Sequence, residues 1–374
     1  MITGLHLFAP RRGDHGTGDD PLDILRLIRS RRVGPVTFHR LLAEHGSAAA
    51  ALSELPAIAR AAGVEGYEPC PPAVIRAEVA TGKRAGARLI VWGSPNYPPT
   101  LAEIADAPPA FWVRGDPAVL SRQGVAVIGA RNASSLGLRM ARQIATELGE
   151  AGMIVTAGLA RGIDTAAHEA AVRTGTIAVL AGGVDVVYPS ENTALAHAII
   201  ENGALVSEQP PGTEPTARLF PARNRIISGL STSVAVVEAA LRSGSLITAR
   251  NALDQGREVM AVPGHPLDAR AGGCNALIRD GAALIRNAGD ILAVLGHNVA
   301  PEPAAETRAP PPVLQPPHGD LAARILERLS TAPIDEDSLL RELGIPASAA
   351  SAAILTLELE NRARRVAGGG LALA

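Results

Sequence analysis

From Leu22 to about Ala62 the apolar residues recur at helical spacing: Leu22, Leu25 and Ile28, then Val36, Leu41 and Leu42, then Leu52, Leu55 and Ile58. Val33-Gly34-Pro35 separates the first run from the second and predicts a tight turn between two short helices. Residues 63–87, interrupted by Pro and Gly, predict an irregular passage. Residues 1–20, rich in Gly, Asp and Arg, predict a disordered start.

Further along, the pattern changes. Val125-Ala126-Val127-Ile128 is a continuous aliphatic run, followed by a helical pattern from about Ser134 to Glu150. The unit repeats with Ile154–Ala157 and a helix from about Ile163 to Thr174, then Ile177–Leu180 and a helix near Asn192–Asn202, then Leu205–Ser207. After a Pro-rich turn come Val234–Val237, a helix from about Leu246 to Gln255, Val259–Val262, a short helix near Asn275–Asp280, and Leu284-Ile285. Aliphatic strands without polar alternation, separated by helices, predict an α/β domain over 88–297 with a Rossmann-like, doubly wound parallel sheet. Ligands of such sheets lie beyond the C-terminal strand ends.

Residues 298–318 carry Pro301, Pro303, Pro310-Pro311-Pro312 and Pro316-Pro317, a composition that predicts a semi-rigid linker. Helical patterns over Leu321–Leu329, Asp337–Leu343 and Ala347–Glu360, then a β-wing over Arg362–Leu373, predict a winged-helix domain at 319–374. The N-terminal helices, 21–87, read as a SAM-like or helix-hairpin-helix module, a type that either touches DNA backbone or serves as a packing adaptor.

Composition narrows the function classes. Of 374 residues, 47% are hydrophobic and only 2% aromatic, so the cores must be aliphatic. No apolar stretch reaches transmembrane length and residues 1–20 lack a signal-peptide core, which places the expectation in the cytoplasm. Cys70 and Cys274 stand too far apart to suggest a disulfide framework or a zinc site. With a net charge of −2, no global field draws the chain to nucleic acid, so any polyanion site must be a local concentration of positive charge. Lys83 is the only lysine among 35 basic residues. The α/β domain therefore has no lysine for a phosphate-binding P-loop or a Schiff base, and anion contacts fall to arginine and backbone amides.

Candidate chemistry gathers where the strands end. Gly129-Ala130-Arg131-Asn132-Ala133-Ser134 follows the first aliphatic run. Gly129 would let backbone approach a phosphate, and Ser134 can cap the next helix. Arg131 fills the space a dinucleotide pyrophosphate needs, so it is either an anion ligand itself or a surface arginine beside a turn. Arg161-Gly162 follows the second run. Asp164 and His168 lie i, i+4 and are expected to hydrogen-bond to each other, more as a structural pair than as an acid–base couple. Phe220-Pro221-Ala222-Arg223-Asn224-Arg225 places two arginines and an amide at a helix start, with Phe220 either stacking on a base or belonging to the core. Ser243-Gly244-Ser245 opens a later helix, holding phosphate or merely capping. His265 sits in the turn Pro263-Gly264-His265, with an exposed loop histidine as the default reading.

Taken together these segments resemble the DNA-processing A (DprA/Smf) family. Val127-Ile128-Gly129-Ala130-Arg131, Gly158–Asp164 with Ala167-His168, Tyr188-Pro189 with Asn192, Phe220–Leu230, Val237-Glu238-Ala239, Ser243–Thr248 and Ala261–Gly264 carry the match, densely over about 95–288. The resemblance implies a non-enzymatic protein that binds single-stranded DNA, protects incoming strands in natural transformation, hands them to the recombinase RecA and works as a homodimer. It implies a DNA site of Arg131, Arg161, Arg223 and Arg225, with Asn224 and the serine turn nearby, and no cofactor or metal. The dimer contact is assigned to Leu277 and Ile278 on the short apolar helix. Where some relatives carry a basic residue after Tyr-Pro, this chain has Ser190-Glu191. The competing reading is a nucleoside-monophosphate hydrolase of the lysine-decarboxylase-like group, whose Pro-Gly-Gly-x-Gly-Thr-x-x-Glu signature is absent.

Overall fold

The computed structural model describes residues 18–296, 321–329, 334–343, 345–366 and 370–374. It divides into two compact units, Met1–Val299 and Ala300–Ala374. The expected disordered start (but for its last three residues) and the proline-rich linker lie outside the described residues.

Three helices open the first unit, α1 (Pro21–Arg29), α2 (Pro35–His45) and α3 (Ala48–Ala61). Asp20 caps α1 by accepting from Leu22 N, Ser47 caps α3 by accepting from Ala50 N, and Gly46 ends α2 with φ of 78°. Ile24, Leu25, Leu27, Phe38, Leu41, Leu52 and Leu55 form their shared core.

The passage expected to be irregular instead contains α4 (Pro72–Arg84), with proline at its first position. Its apolar face is too thin to show in the pattern: Ile75, Glu78 and Gly82 are its buried residues. Tertiary contacts hold it. Glu78 accepts from Arg29 Nη2 at 2.9 Å and from Trp112 Nε1 at 3.0 Å, and the Trp112 ring fills the space over Gly82.

The rest of this unit runs β1 (Arg88–Val91), α5 (Pro99–Ala102), β2 (Ala110–Gly115), β3 (Gly124–Ile128), α6 (Ser135–Glu150), β4 (Ile154–Ala157), α7 (Ile163–Ala171), β5 (Thr176–Val179), α8 (Thr193–Asn202) and β6 (Ala204–Ser207). Then follow α9 (Leu219–Gly229), β7 (Ser233–Val236), α10 (Ser245–Asp254), β8 (Glu258–Ala261), α11 (Gly272–Arg279), β9 (Ala283–Leu284) and α12 (Ala288–Val294). The nine strands lie in the order β1-β2-β6-β5-β4-β3-β7-β8-β9. From β6 to β9 every pairing is parallel, as the aliphatic runs predict. β1 and β2 add an antiparallel margin that the wholly parallel expectation lacks.

The chain winds outward from β3 through β4, β5 and β6, then returns to β7 beside β3 and winds the other way. This reversal is the topological switch of a doubly wound sheet and opens a crevice above β3 and β7. Alternate strand residues pack on opposite faces: Val125 and Val127 meet α6 and α7, while Ala126 and Ile128 face the side of Leu101, Ile226 and Ala249.

The second unit contains α13 (Leu321–Arg328), β10 (Ile334–Asp335), α14 (Glu336–Leu343), α15 (Ala347–Leu359), β11 (Ala363–Arg365) and β12 (Gly370–Leu373). The strands form a sheet in the order β10-β12-β11, and Ile325, Leu339, Ile354, Leu357 and Leu371 fill the core. This is the expected winged helix with one added short strand. Among the described residues no helix is long and apolar enough to cross a membrane, and no group of three or more His, Cys, Asp or Glu is arranged to hold a metal ion.

Candidate nucleic-acid interface

The loop after β3 is clamped at both ends by one residue. Ala130 N donates to the backbone carbonyl of Glu238 at 2.6 Å, while Ser134 N and Ser134 Oγ donate to the Glu238 carboxylate at 3.0 Å. Ser134 caps α6 as expected, accepting from Gly137 N at 2.9 Å. The Glu238 carboxylate thus covers the positive end of α6, where a Rossmann-type helix would otherwise present amides to phosphate. Gly129 has a different reason from the one expected. A Cβ there would meet Ile163 Cγ1 at 2.6 Å and Glu238 O at 2.8 Å, so it is glycine for packing, not for ligand approach.

Arg131 projects outward from this loop. Its guanidinium carbon lies 5.2 Å from the centroid of the Phe220 ring, within cation–π range. Tyr188 meets Phe220 from another side, edge on, with centroids 5.8 Å apart. Tyr188 is 53% exposed, so Arg131, Phe220 and Tyr188 form an accessible cationic and aromatic row. Phe220 stands at the start of α9, half-buried rather than in the core. A cleft of about 300 Å³ adjoins Arg131 and is lined also by Ala133, Leu138, Arg142, Gly162 and Ala166.

The loop after β4 lies directly against the first. Gly162 has φ of 78°, and a Cβ there would come within 2.6 Å of Arg131 O and closer still to Ala130 O. Arg161 is exposed and held by Glu191 in a two-point pair, Nε to Oε1 at 2.7 Å and Nη2 to Oε2 at 2.9 Å. Asn192 fastens the Glu191 loop: buried, it donates to Leu159 O at 3.0 Å and Thr165 Oγ1 at 2.9 Å.

Two expected DNA arginines point elsewhere. Arg223 is 6% exposed, and its Nη1 donates to the carbonyls of Gly158 and Val179 at the ends of β4 and β5. Burial draws its pKa down to about 10 against the attraction of Asp164. Arg225 donates to both Glu208 carboxylate oxygens, at 2.7 and 2.6 Å, and pairs with Asp106 at 3.4 Å; its side chain is 11% exposed. The signal was in the helix period. Arg223 shares a face with Ile226, Ile227 and Leu230, all buried.

The Asp164–His168 pairing is also corrected. Asp164 accepts from Gly158 N at 2.9 Å and Ala160 N at 3.4 Å, and burial pushes its carboxyl up despite Arg223 and these amides. His168 instead meets Thr176 Oγ1 at 2.7 Å. Thr176 spends its proton on Val155 O, so His168 Nδ1 is the donor. Burial, with Arg223 nearby, lowers the His168 pKa to about 3 and keeps the ring neutral.

Asn224 Nδ2 donates to Gly244 O at 3.4 Å, tying α9 to the turn where Ser243 and Ser245 hydroxyls meet at 2.7 Å. His265 is exposed and accepts from Leu267 N at 3.2 Å. Leu277 and Ile278 are half-buried on α11 against the central core, and Leu284 of the edge strand β9 is exposed. In the winged helix, Arg365 pairs with Glu336 at 2.7 Å and Glu358 at 3.1 Å, and Arg362 pairs with Glu360 at 3.2 Å.

Three family models match the chain: DNA recombination-mediator protein A over 88–296, a DprA-like N-terminal HHH domain over 18–81 and a DprA winged helix domain over 308–369. DNA processing protein DprA of Streptococcus pneumoniae is 45% identical over 199 residues, which is 53% of this chain and 70% of that protein. Protein Smf of Escherichia coli is 41% identical over 288 residues, 75% of this chain and 76% of the other. The crystal structure of the Streptococcus pneumoniae protein superposes with a TM-score of 0.63 at 35% identity, covering 73% of this chain and 97% of that one. A second structure, of DNA processing protein A from Helicobacter pylori, concerns that protein's single-stranded DNA binding mode. It gives a TM-score of 0.52 at 28% identity, over 56% of this chain and 95% of its own. The matches span the helical, α/β and winged-helix parts in order, and the chain belongs to the DNA recombination-mediator protein A (DprA/Smf) family.

Proposed function

We propose that this chain binds single-stranded DNA across the C-terminal edge of its parallel sheet. The observation that carries the reading is the row of exposed Arg131 and Tyr188 on either side of half-buried Phe220. Arg131 and Arg161 take phosphates; Phe220 and Tyr188 offer ring faces to unpaired bases, which a duplex keeps stacked away. Asn224 and the Ser243-Gly244-Ser245 turn border this row, Gly162 and Ser134 set its loops, and Arg223 and Arg225 support it from beneath. The single-stranded DNA binding mode described for the Helicobacter pylori protein supports the same class of ligand.

The wider role follows the family: a cytoplasmic, non-catalytic protein that shields incoming strands and passes them to RecA in recombination and transformation. Its self-association runs through the β9 edge, with Leu277, Ile278 and Leu284. The buried states of Asp164 and His168 favour binding over acid–base chemistry.

Fluorescence anisotropy with labelled oligo-dT and with a blunt duplex tests the reading. The single strand should bind more tightly, and its affinity should fall steeply as salt rises. Arg131→Ala should lower the salt slope by about 0.7, one phosphate contact on a single strand. Phe220→Ala should cost about 1–3 kcal/mol, the range for one stacked base. Equal affinity for the duplex, or wild-type affinity in both variants, sinks the proposal.

A further inference from the structure

Each of the two strand-end loops faces a carboxylate of the chain itself, and the two serve different ends. Glu238 is 7% exposed; its carboxylate accepts from the Ser134 amide and hydroxyl and also pairs with Arg270 at 3.3 Å, and it is these bonds to Ser134 by which it builds the loop. Glu191 is exposed, and the only hydrogen bonds described for its carboxylate are those from Arg161. Two parallel N–H donors on two carboxylate oxygens reproduce the fork geometry with which arginine grips a phosphate. The placement is not left to a floppy surface chain. Asn192, the next residue, is buried and anchored to Leu159 O and Thr165 Oγ1, on the same segment that carries Arg161. Glu191 is thereby presented to Arg161 by the fold.

We propose that Glu191 is a built-in competitor for phosphate at Arg161, and that it sets how tightly this site holds a nucleic acid. The inference rests on the single-strand reading above. An incoming phosphate must take both donors from the carboxylate, and an exposed ion pair is a weak enough rival to be displaced. A strand already anchored at Arg131 and Phe220 brings its neighbouring phosphate to Arg161 at high effective concentration, because the loops touch through Gly162. A lone phosphate or mononucleotide has no such help. Glu191 therefore favours strands over monomeric anions, in a chain whose net charge of −2 gives no selectivity of its own.

The test is a mutant cycle of Glu191→Gln, Arg161→Ala and the double variant, titrated with labelled oligo-dT at low salt, each checked for unchanged melting. Gln keeps the size and polarity of the side chain and removes its charge. Glu191→Gln should bind about two- to fivefold more tightly than the wild type, the scale on which an exposed pair can compete. That gain should vanish in the Arg161→Ala background. The same gain in both backgrounds would mean diffuse repulsion, and weaker binding by Glu191→Gln would mean that the pair positions Arg161 for DNA; either overturns the competitor role while leaving the single-strand reading in place. Absence of oligo-dT binding in wild type and Glu191→Gln alike overturns the reading and this inference with it.

Discussion

Arg223 lies against Gly158 so closely that its guanidinium occupies the place a Cβ would take, while its Nη1 donates to the Gly158 carbonyl at 2.6 Å. An arginine that first reads as a DNA ligand is the pin that holds α9 to the ends of β4 and β5. By holding α9, it holds Phe220, one helical turn earlier, beside Arg131.

The pin predicts a stability phenotype. Arg223→Ala removes the charged donor from the Gly158 and Val179 carbonyls and should cost about 1.5–3 kcal/mol. Gly158→Ala drives a methyl into the guanidinium and should cost about 1–3 kcal/mol. Arg131→Ala, on the surface, should leave stability within about 0.5 kcal/mol. Urea unfolding followed by circular dichroism checks all three, and a stable, well-folded Arg223→Ala would return that side chain to the list of DNA contacts.

A pH dependence follows from His168. Its pKa in the folded chain, about 3, lies below the ordinary histidine value of 6.5, so between these values the unfolded chain binds the extra proton. Stability is then complete above pH 6.5 and is lost as pH falls toward 3, by at most about 1.4 kcal/mol per pH unit. Asp164, whose pKa is raised by burial, acts in the opposite direction, so the histidine's share is read from a variant. His168→Asn places an amide donor near the Nδ1 position and removes the titration. Its unfolding free energy should fall less than that of the wild type over this range, and parallel curves would refute the assignment.

The winged helix should contribute little to strand binding. Arg362 and Arg365 already pair with glutamates, and α15 carries Leu355 and Leu359 outward, 56% and 79% exposed, with no basic residue along its length. A protein ending at 299 should keep most of its affinity for oligo-dT. If it folds and its affinity falls by more than about tenfold, or roughly 1.4 kcal/mol, the winged helix is part of the DNA site.

Much of the architecture was legible beforehand because strands buried on both faces leave unbroken aliphatic runs. Val125–Ile128, Ile154–Ala157 and Val234–Val237 could scarcely be anything else, and the ends of those runs located Arg131, Arg161 and the serine turn. The winged helix, too, followed from its periodic helices. By contrast α4 has too few apolar positions to declare itself, and it exists through Glu78, Gly82 and their contacts with Arg29 and Trp112. The antiparallel margin of β1 and β2 is a matter of strand pairing across distant sequence, which local pattern does not encode.

Charge type and position along the chain established that arginines gather at the strand ends; they did not establish which way each side chain turns. That depends on the helix period and on what lies beneath. Arg223 falls on the face of Ile226 and Ile227 and is drawn inward by carbonyls at two strand ends, Arg225 is drawn in by Glu208, and Arg131 lies over an aromatic ring and stays exposed. The sequence marked the Tyr188–Glu191 loop only as a family segment that departs from some relatives; that Tyr188 meets Phe220 and Glu191 meets Arg161 was decided by tertiary structure, because the loop after β5 meets α9 and the loop after β4 in space while lying about 30 residues from each in sequence.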